Sequence, residues 1–570
     1  MPETILETKI CKQCQTPFDI TSAERVFLDT VSPILAWKAY PIPNPVYCPD
    51  CRQQRRLSFR NERTLYKRRC GLSDREIVAM YSPIPPHTAD KEEHIAYPVY
   101  DQNVRRWDQR DATTYGQEID FTKSFAEQFD ALMRKVPRIS LINTKHENSE
   151  FCNFAFSNKN SYLNFTSSQN ENLFHSNRTW DSISCIDCSS LARCNNCYEV
   201  IDSEDCTTCF FSQNIANCFD CSYCLNSQWC QHCIGCCNLV NKMYCIANVQ
   251  YSPEAYEKLA SEIKQNILWY ADTFDHFKEK AIRKYMNCVN TDHCSGDAIA
   301  NSKHAERCFE VKNLDDCKYV CNATHLRNGR DVNNEDNSDL VYQSAGSETN
   351  YKHIFNDICR YDKNISYCSL CFYSSDLFGC VGLRHKQYCI LNKQYTKSEY
   401  ESLVGKLIEH MMTTGEWWEF LSPSISPFWY NETTAMEYFP LTREQALAEW
   451  FKWNDYEAPF PTVEKTLQAS EVPAIENVTD DILKQAIVCE MSKKPFRIIG
   501  PELAFYRKHQ LPIPTKHPDV RHTARMHLRN PRKLRDRSCD NCWNAIQTSY
   551  APERKEKIYC EICYDKEVYW

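Results

Sequence analysis

The chain has 570 residues, 42% hydrophobic and 25% charged, with 35 cysteines, 11 glycines and a formal net charge of −8. That length suggests about four domains, and the apolar runs fall short of the ~18 residues of a membrane-spanning helix. Neither a dinucleotide fingerprint nor a phosphate loop, HExxH or GxSxG occurs, so a non-enzymatic protein is expected. The opening MPETILETKICKQC has no apolar signal core, and the expectation is a cytoplasmic protein whose cysteines are metal ligands or small buried apolar residues rather than disulfides.

Residues 1–110 read as a zinc-ribbon module with an Arg-rich helix. The paired knuckles Cys11-x2-Cys14 and Cys48-x2-Cys51 offer four thiolates to one tetrahedral Zn2+, a structural site with no open coordination position. Arg52, Arg56, Arg60 and Arg63 follow at steps of four, four and three, which on a helix makes one cationic stripe. From Arg52 to Arg69 eight Lys or Arg stand against Glu62 alone. Such a row suits contact with a phosphate backbone; the alternative is that it pairs with the acidic remainder of the chain and clamps the terminus to it. Residues 111–150 read as a helical connector.

Residues 151–286 and 287–412 read as two tandem narrow parallel β-solenoids, each followed by a capping helix. Cys185, Cys197, Cys209, Cys221, Cys233 and Cys245 are spaced 12 apart, and Cys194, Cys206, Cys218 and Cys230 run in the same period. Cys188, Cys224 and Cys236 share a third column with Val200 and Ser212; Leu191, Ser203, Ile215, Ser227 and Leu239 make a fourth. The inward set thus recurs every third residue and the coil closes every twelfth, too short for a helical hairpin but enough for one turn of stacked parallel strands. Asn and Asp at the corners can take the left-handed conformation where glycine is missing. Dry reduced packing, a metal-bearing array and a disulfide ladder compete for the cysteine columns, the first being favoured. IGCCNLVNKMYCIANVQY from Ile234 matches FGCVGLRHKQYCILNKQY from Phe378 at an offset of 144, so the second solenoid, about Asn287 to Gln394, is a cysteine-poorer copy. Ser252-Pro253-Glu254 and the capping box Thr396-x2-Glu399 signal the two helices.

Residues 413–486 are rich in aromatics and proline, a connector with short helices from Thr442 to Trp453 and from Asp480 to Val488. Residues 487–570 repeat the first module. At an offset of 469, Arg52, Arg56, Arg60 and Arg63 meet Arg521, Arg525, Arg529 and Arg532. The four ligand positions of the first knuckle pair here read Cys489, Ser492, His517 and Val520, so that site is expected to be lost. Cys539, Cys542, Cys560 and Cys563 form a second zinc ribbon, of which only Cys70 survives in the N-terminal copy. Each end thus keeps a different metal site, and two structural Zn2+ are expected. Asn530-Pro531 should bend the second arginine stripe. Lys493 to Arg537 carries thirteen Lys or Arg against three acidic residues, so two basic segments frame an acidic body.

With these motifs in view, CPDCRQQRRLSFRNERTLYKRRC, the MYSP turn, the NKMYCIANVQYS coil ending and the KPFRI to RNPRKL segment resemble the zinc-ribbon, cysteine-rich repeat proteins of candidate-phyla-radiation (Patescibacteria-type) bacteria over nearly the whole chain. The resemblance implies the architecture and a cytosolic bacterial setting but no activity. That family often carries both CxxC pairs in its second N-terminal knuckle; Ser73 and Pro98-Val99-Tyr100 depart from this. The fold class expected is therefore mixed, mainly β, with zinc-ribbon or treble-clef-like modules at both ends. The partner expected is nucleic acid, RNA favoured, or a ribonucleoprotein, held by Arg52, Arg56, Arg60, Arg63, Arg521, Arg525, Arg529 and Arg532. The alternatives are a protein partner on the solenoid, or metal handling or catalysis by the cysteine columns; no membrane is expected.

Overall fold

The computed structural model describes residues 3–83, 97–102, 111–265, 267–417, 419–456 and 461–569. Residues 94–96, part of the second-knuckle alignment, and Trp418 of the aromatic connector lie outside the described residues. The chain is mainly β, with a solenoid of about 20 turns of roughly 12 residues in two stretches. Its helices in chain order are α1 (Ser22–Val31), α2 (Pro49–Leu57), α3 (Phe125–Lys135), α4 (Pro253–Gln265), α5 (Ile267–Lys280), α6 (Lys397–Thr414), α7 (Thr434–Tyr438), α8 (Arg443–Ala448), α9 (Gly500–His509), α10 (Pro518–Leu528) and α11 (Glu561–Val568). None of the described helices is long and apolar enough to cross a membrane.

The period of 12 is a hydrogen-bond register. Asn153 pairs with Phe165, Phe165 with Asn177 and Asn177 with Ser189 in parallel ladders. Every third residue turns a corner in the left-handed region: Asp187, Ser190, Arg193, Asn196, Glu199, Asp202 and Asp205 have φ of 50 to 57°. Four corners per coil would be costly for L residues in isolation. Ladder bonds hold them, since corner N–H groups donate to the coil before, as in Asp187 N to Phe174 O at 3.0 Å and Asn196 N to Ile183 O at 3.0 Å.

The residue after each corner points inward. Cys185, Cys188, Cys197, Cys206, Cys209, Cys221, Cys224, Cys230, Cys233 and Cys236 are all 0% exposed. All are free thiols, which makes them packing residues rather than a disulfide ladder. Each thiol finds carbonyls inside the coil: Cys209 Sγ donates to Thr207 O at 3.5 Å and lies 3.6 Å from Cys218 O. Serine fills the column of Cys188, Cys224 and Cys236 in the same way, Ser212 Oγ donating to Phe210 O at 2.8 Å and accepting from Cys224 N at 3.0 Å. Burial pushes the thiols of Cys152 and Cys317 up to about 12, so they stay protonated.

The first solenoid starts at Asn143–Thr144, ahead of the boundary expected at 151. Its early coils are filled by Asn158, Ser161, Asn164, Ser167 and Asn170, all buried. These amides serve the coil as Cys does later, Asn158 Oδ1 accepting from Asn170 N at 3.1 Å, and no cysteine period marks them. The second solenoid is an eleven-stranded sheet from Cys288 to Gln394. α4 and α6 pack on the last long strand of each solenoid. Two equivalent glycines, Gly235 and Gly379, both with φ of 62°, admit the rings of Phe274 in α5 and Phe125 in α3, where a Cβ would collide at 2.2 and 2.7 Å.

Between α6 and residue 486 the connector buries Trp417, Phe420, Phe428, Trp429 and Tyr430. Packing accounts for these aromatics, while Trp450 and Tyr456 of the same connector are exposed. The helical reading of Asp480 to Val488 is corrected: a 3-10 turn over Asp480–Lys484 leads into the strand Gln485–Val488, because Gln485 to Val488 completes a sheet with Lys465–Gln468.

The modules dock crosswise. α2 lies across strands Thr324–Asn333 and Asp336–Ala345 of the second solenoid. In the C-terminal module, Leu503, Phe505 and Tyr506 of α9 pack with Phe174, Ile186, Tyr198 and Phe210 of the first solenoid. The second knuckle of each module grips the other solenoid's entrance: Val99–Tyr100 pairs with Arg138–Ile139, and Ile558–Tyr559 with Arg283–Lys284. Where the solenoids meet, Arg178 Nη1 donates to Asn322 Oδ1 at 2.7 Å, a contact between equivalent positions of the two copies.

Candidate metal centres and the cleft they frame

Four knuckles, two per module, share one backbone geometry. A backbone bond back to each first cysteine closes the loop: Gln15 N bonds Cys11 O, Asp74 N bonds Cys70 O, Lys493 N bonds Cys489 O and Trp543 N bonds Cys539 O, at 2.9 to 3.1 Å. Gln15, Asp74, Lys493 and Trp543 are left-handed, with φ of 54 to 64°. The duplication read from sequence is thus a structural one, including the knuckles that have lost ligands.

Two knuckles keep four thiols. One sulfur from each of Cys11, Cys14, Cys48 and Cys51, and likewise of Cys539, Cys542, Cys560 and Cys563, lies within 4.8 Å of the other three. Cys14 and Cys48 sulfurs are 3.6 Å apart and those of Cys542 and Cys560 3.7 Å. A tetrahedral Zn2+ with bonds of ~2.3 Å needs sulfur separations of about 3.8 Å, so both sets fit that ion and could hold it. Cys48 and Cys560 cap the N-termini of α2 and α11, where the helix dipole favours thiolate. Cys48 N donates to Cys11 Sγ at 3.2 Å, and Cys560 N to Cys539 Sγ at 3.2 Å. The neighbouring Cys51 thiol brings Cys48 down to about 5; burial opposes ionisation of Cys539, but N–H groups of Cys542 and Cys560 outweigh it and bring the thiol to about 6. Burial and neighbouring thiols raise Cys11, Cys51, Cys560 and Cys563, so what fits a metal is the four-sulfur geometry, and the solenoid columns form no such group among the described residues.

In the other two knuckles backbone donors stand where the ligand set has been lost. Asp101 N donates to Cys70 Sγ and Ser492 N to Cys489 Sγ, both at 3.4 Å. His517 caps α10, its Nδ1 accepting from Asp519 N at 3.2 Å.

The eight arginines offered by the sequence for nucleic acid lie inside the protein. Arg52 and Arg56 share Asp331 at 2.9 and 3.4 Å. At the matching place in the other half, Arg521 and Arg525 share Asp187, Arg525 at 3.0 Å. Arg529 binds Asp202 at 2.8 Å, and Arg532 binds Glu310 at 2.7 Å. Arg60 pairs with Glu62 while its guanidinium lies 4.0 Å over the Phe154 ring; Arg63 reaches Asp519 at 3.4 Å. Arg52 is 1% exposed, Arg56 0% and Arg525 1%. This corrects the reading of the stripe as a phosphate-contacting surface: the carboxylates it faces are the protein's own. It is also not one helical row, because α2 ends at Leu57 and α10 at Leu528, the latter just ahead of Asn530-Pro531. Only the first two arginines of each set are helical.

Asp187 and Asp331 carry no local mark in the sequence. What links them is that they stand 144 residues apart, as the solenoids do, while their arginine partners stand 469 apart, as the modules do. Burial disfavours ionisation of Glu310, but Arg529, Arg532 and Arg178 overcome it and hold the carboxyl far below the usual range.

Between the modules, the connector and both solenoids runs a cleft of about 2220 Å³. Its lining is electrically divided. The C-terminal module contributes seven Lys or Arg against Asp519 and Asp536, and of these Lys494, Arg497 and Lys533 are exposed. The other walls contribute seven carboxylates, Asp50 and Glu449 among them, against three cations. Phe18 and Tyr456 supply accessible ring surface, while Tyr66 and Phe496 are buried in the cleft wall and the Tyr438 ring lies under Arg532. No protein-family model matches the chain, and no curated protein matches it in sequence.

Proposed function

We propose that the protein is a non-enzymatic, zinc-stapled scaffold that binds single-stranded nucleic acid, RNA in preference, in the cleft between its terminal modules. The observation that carries the reading is the divided lining of that cleft. A volume of about 2220 Å³ exceeds the roughly 300–1,000 Å³ of a small-molecule site and suits an extended polymer. A nucleotide strand has the same polarity as the lining: phosphates belong against Lys494, Arg497 and Lys533, and bases, which stack on rings and donate from exocyclic amines, against the aromatic and carboxylate walls. Four-thiolate zinc sites have no open position for substrate, which supports a structural role for the metal.

The test is equilibrium binding of the reduced, zinc-loaded protein to labelled single-stranded RNA and DNA across a salt series. The expected result is a negative slope of log K against log salt, reduced by about two when Lys494, Arg497 and Lys533 are changed to Glu. Absence of binding at low salt would overturn the reading, and affinity purification yielding one stoichiometric, nuclease-insensitive protein would put a protein partner in its place.

A further inference from the structure

The first coil of the second solenoid is one residue short. Cys288 pairs with Ile299 and Asp292 with Lys303, an advance of 11 rather than 12. Gly296 makes this possible: its φ is 140°, and a Cβ there would meet Cys308 O at 1.7 Å. The short coil places His293 and His304 at facing left-handed corners, with φ of 51 and 50°, their rings stacked with centroids 5.7 Å apart. In the first solenoid the corresponding corners hold Asn148 and Asn160, which simply bond each other at 3.1 Å. Asp292 adds a carboxylate, its Oδ1 lying 2.7 Å from His293 Nδ1. One donor atom from each of the three side chains lies within 4.8 Å of the other two, and all three residues are exposed. Lys303, the nearest cation on the ladder, is drawn toward Asp315 at 3.4 Å.

We infer that Asp292, His293 and His304 form a solvent-open site for a divalent transition-metal ion, which clips together the first two coils of the second solenoid. Two imidazoles and a carboxylate are ligands for Ni2+, Cu2+ or Zn2+, with water completing the shell. The 2.7 Å contact between the Asp292 carboxylate and the His293 ring nitrogen is a hydrogen bond that an incoming ion would replace, and Ni2+, for which imidazole is a good ligand, serves as the probe. The clip has a structural use, because the strand Cys288–Asp292 is the open edge of its sheet, with Val289 66% exposed. Unpaired edges invite association with other chains, and a metal bridge to the next coil would hold this one in register.

The experiment uses the full-length protein with both four-cysteine sites filled with zinc, titrated with Ni2+ by calorimetry. One equivalent of Ni2+ is expected to bind without displacing zinc. His293→Asn and His304→Asn, which place at these corners the residue that the first solenoid uses, are each expected to weaken Ni2+ binding at least tenfold while zinc content stays unchanged. In the wild type, Ni2+ should also slow amide hydrogen exchange in the strand Cys288–Asp292. No Ni2+ bound, or equal affinity in wild type and both variants, would overturn the assignment.

Discussion

Asp187 and Asp331 occupy the same position in two copies of one solenoid, and each is buried under two arginines from the terminal module farther from it in sequence. These pairs are the points at which the modules lock the solenoids together.

Breaking one lock leaves two guanidinium groups buried without a counter-charge. Asp331→Asn is expected to destabilise the protein by about 3–5 kcal/mol, because desolvated charges lose their partner. Changing Arg52 and Arg56 to Met together with Asp331→Leu should restore most of the loss. Urea unfolding of the three proteins checks this, and limited proteolysis should show the N-terminal module loosened in Asp331→Asn alone.

Each four-cysteine site is expected to hold one metal ion. Cys14→Ser and Cys542→Ser should each lower the zinc content by one, read by elemental analysis after exchange into metal-free buffer, and replacing Zn2+ with Co2+ should give thiolate charge-transfer bands. Because the knuckle at Cys489 keeps its geometry, Ser492→Cys with Val520→Cys is expected to add a third thiolate-bound Co2+, with His517 completing the site. An unchanged band intensity would mean that the capping role of His517 prevents it.

The solenoid thiols are expected to be inert in the folded state. Iodoacetamide should label metal-free native protein at Cys14 and Cys542, which are exposed, and reach Cys209 or Cys221 only after denaturation. Cys209→Ser should cost under about 1.5 kcal/mol, since serine already fills equivalent positions, while Cys209→Leu should cost about 1–3 kcal/mol by overpacking.

His353 is 0% exposed, inside the second solenoid in a column with Val341, Ile365 and Leu377, and neither ring nitrogen has a hydrogen-bond partner among the described residues. Burial lowers its pKa to about 3. The unfolded chain therefore binds a proton near pH 6.5 that the folded one refuses, so this residue's contribution to stability is lost as pH falls from about 6.5 to about 3, by at most about 4–5 kcal/mol. His353→Leu should flatten that limb and raise stability near pH 7 by about 1–3 kcal/mol, measured by denaturant unfolding across the pH series.

Much of this was legible because it is periodic or local. The 12-residue coil appears as columns of Cys because a narrow interior admits only small side chains, and the two four-cysteine groups that could hold a metal appear as CxxC pairs because a knuckle is built from neighbouring residues. The early coils were hidden because Asn and Ser can fill the same interior through hydrogen bonds, leaving no cysteine column to count. The one-residue deletion at Gly296 is likewise invisible until the ladder is drawn, and with it the meeting of His293 and His304.

What the sequence by itself determined is therefore the repeat, the duplication and the two four-cysteine groups, each set by contacts between residues close in the chain or one period apart. Only the tertiary structure decided where the arginines point. A helix with Arg52 and Arg56 on one face specifies a cationic surface but not what meets it; Asp331 lies 275 residues beyond Arg56, and pairing with that distant carboxylate, which offsets the cost of burying the two charges, turned that surface inward.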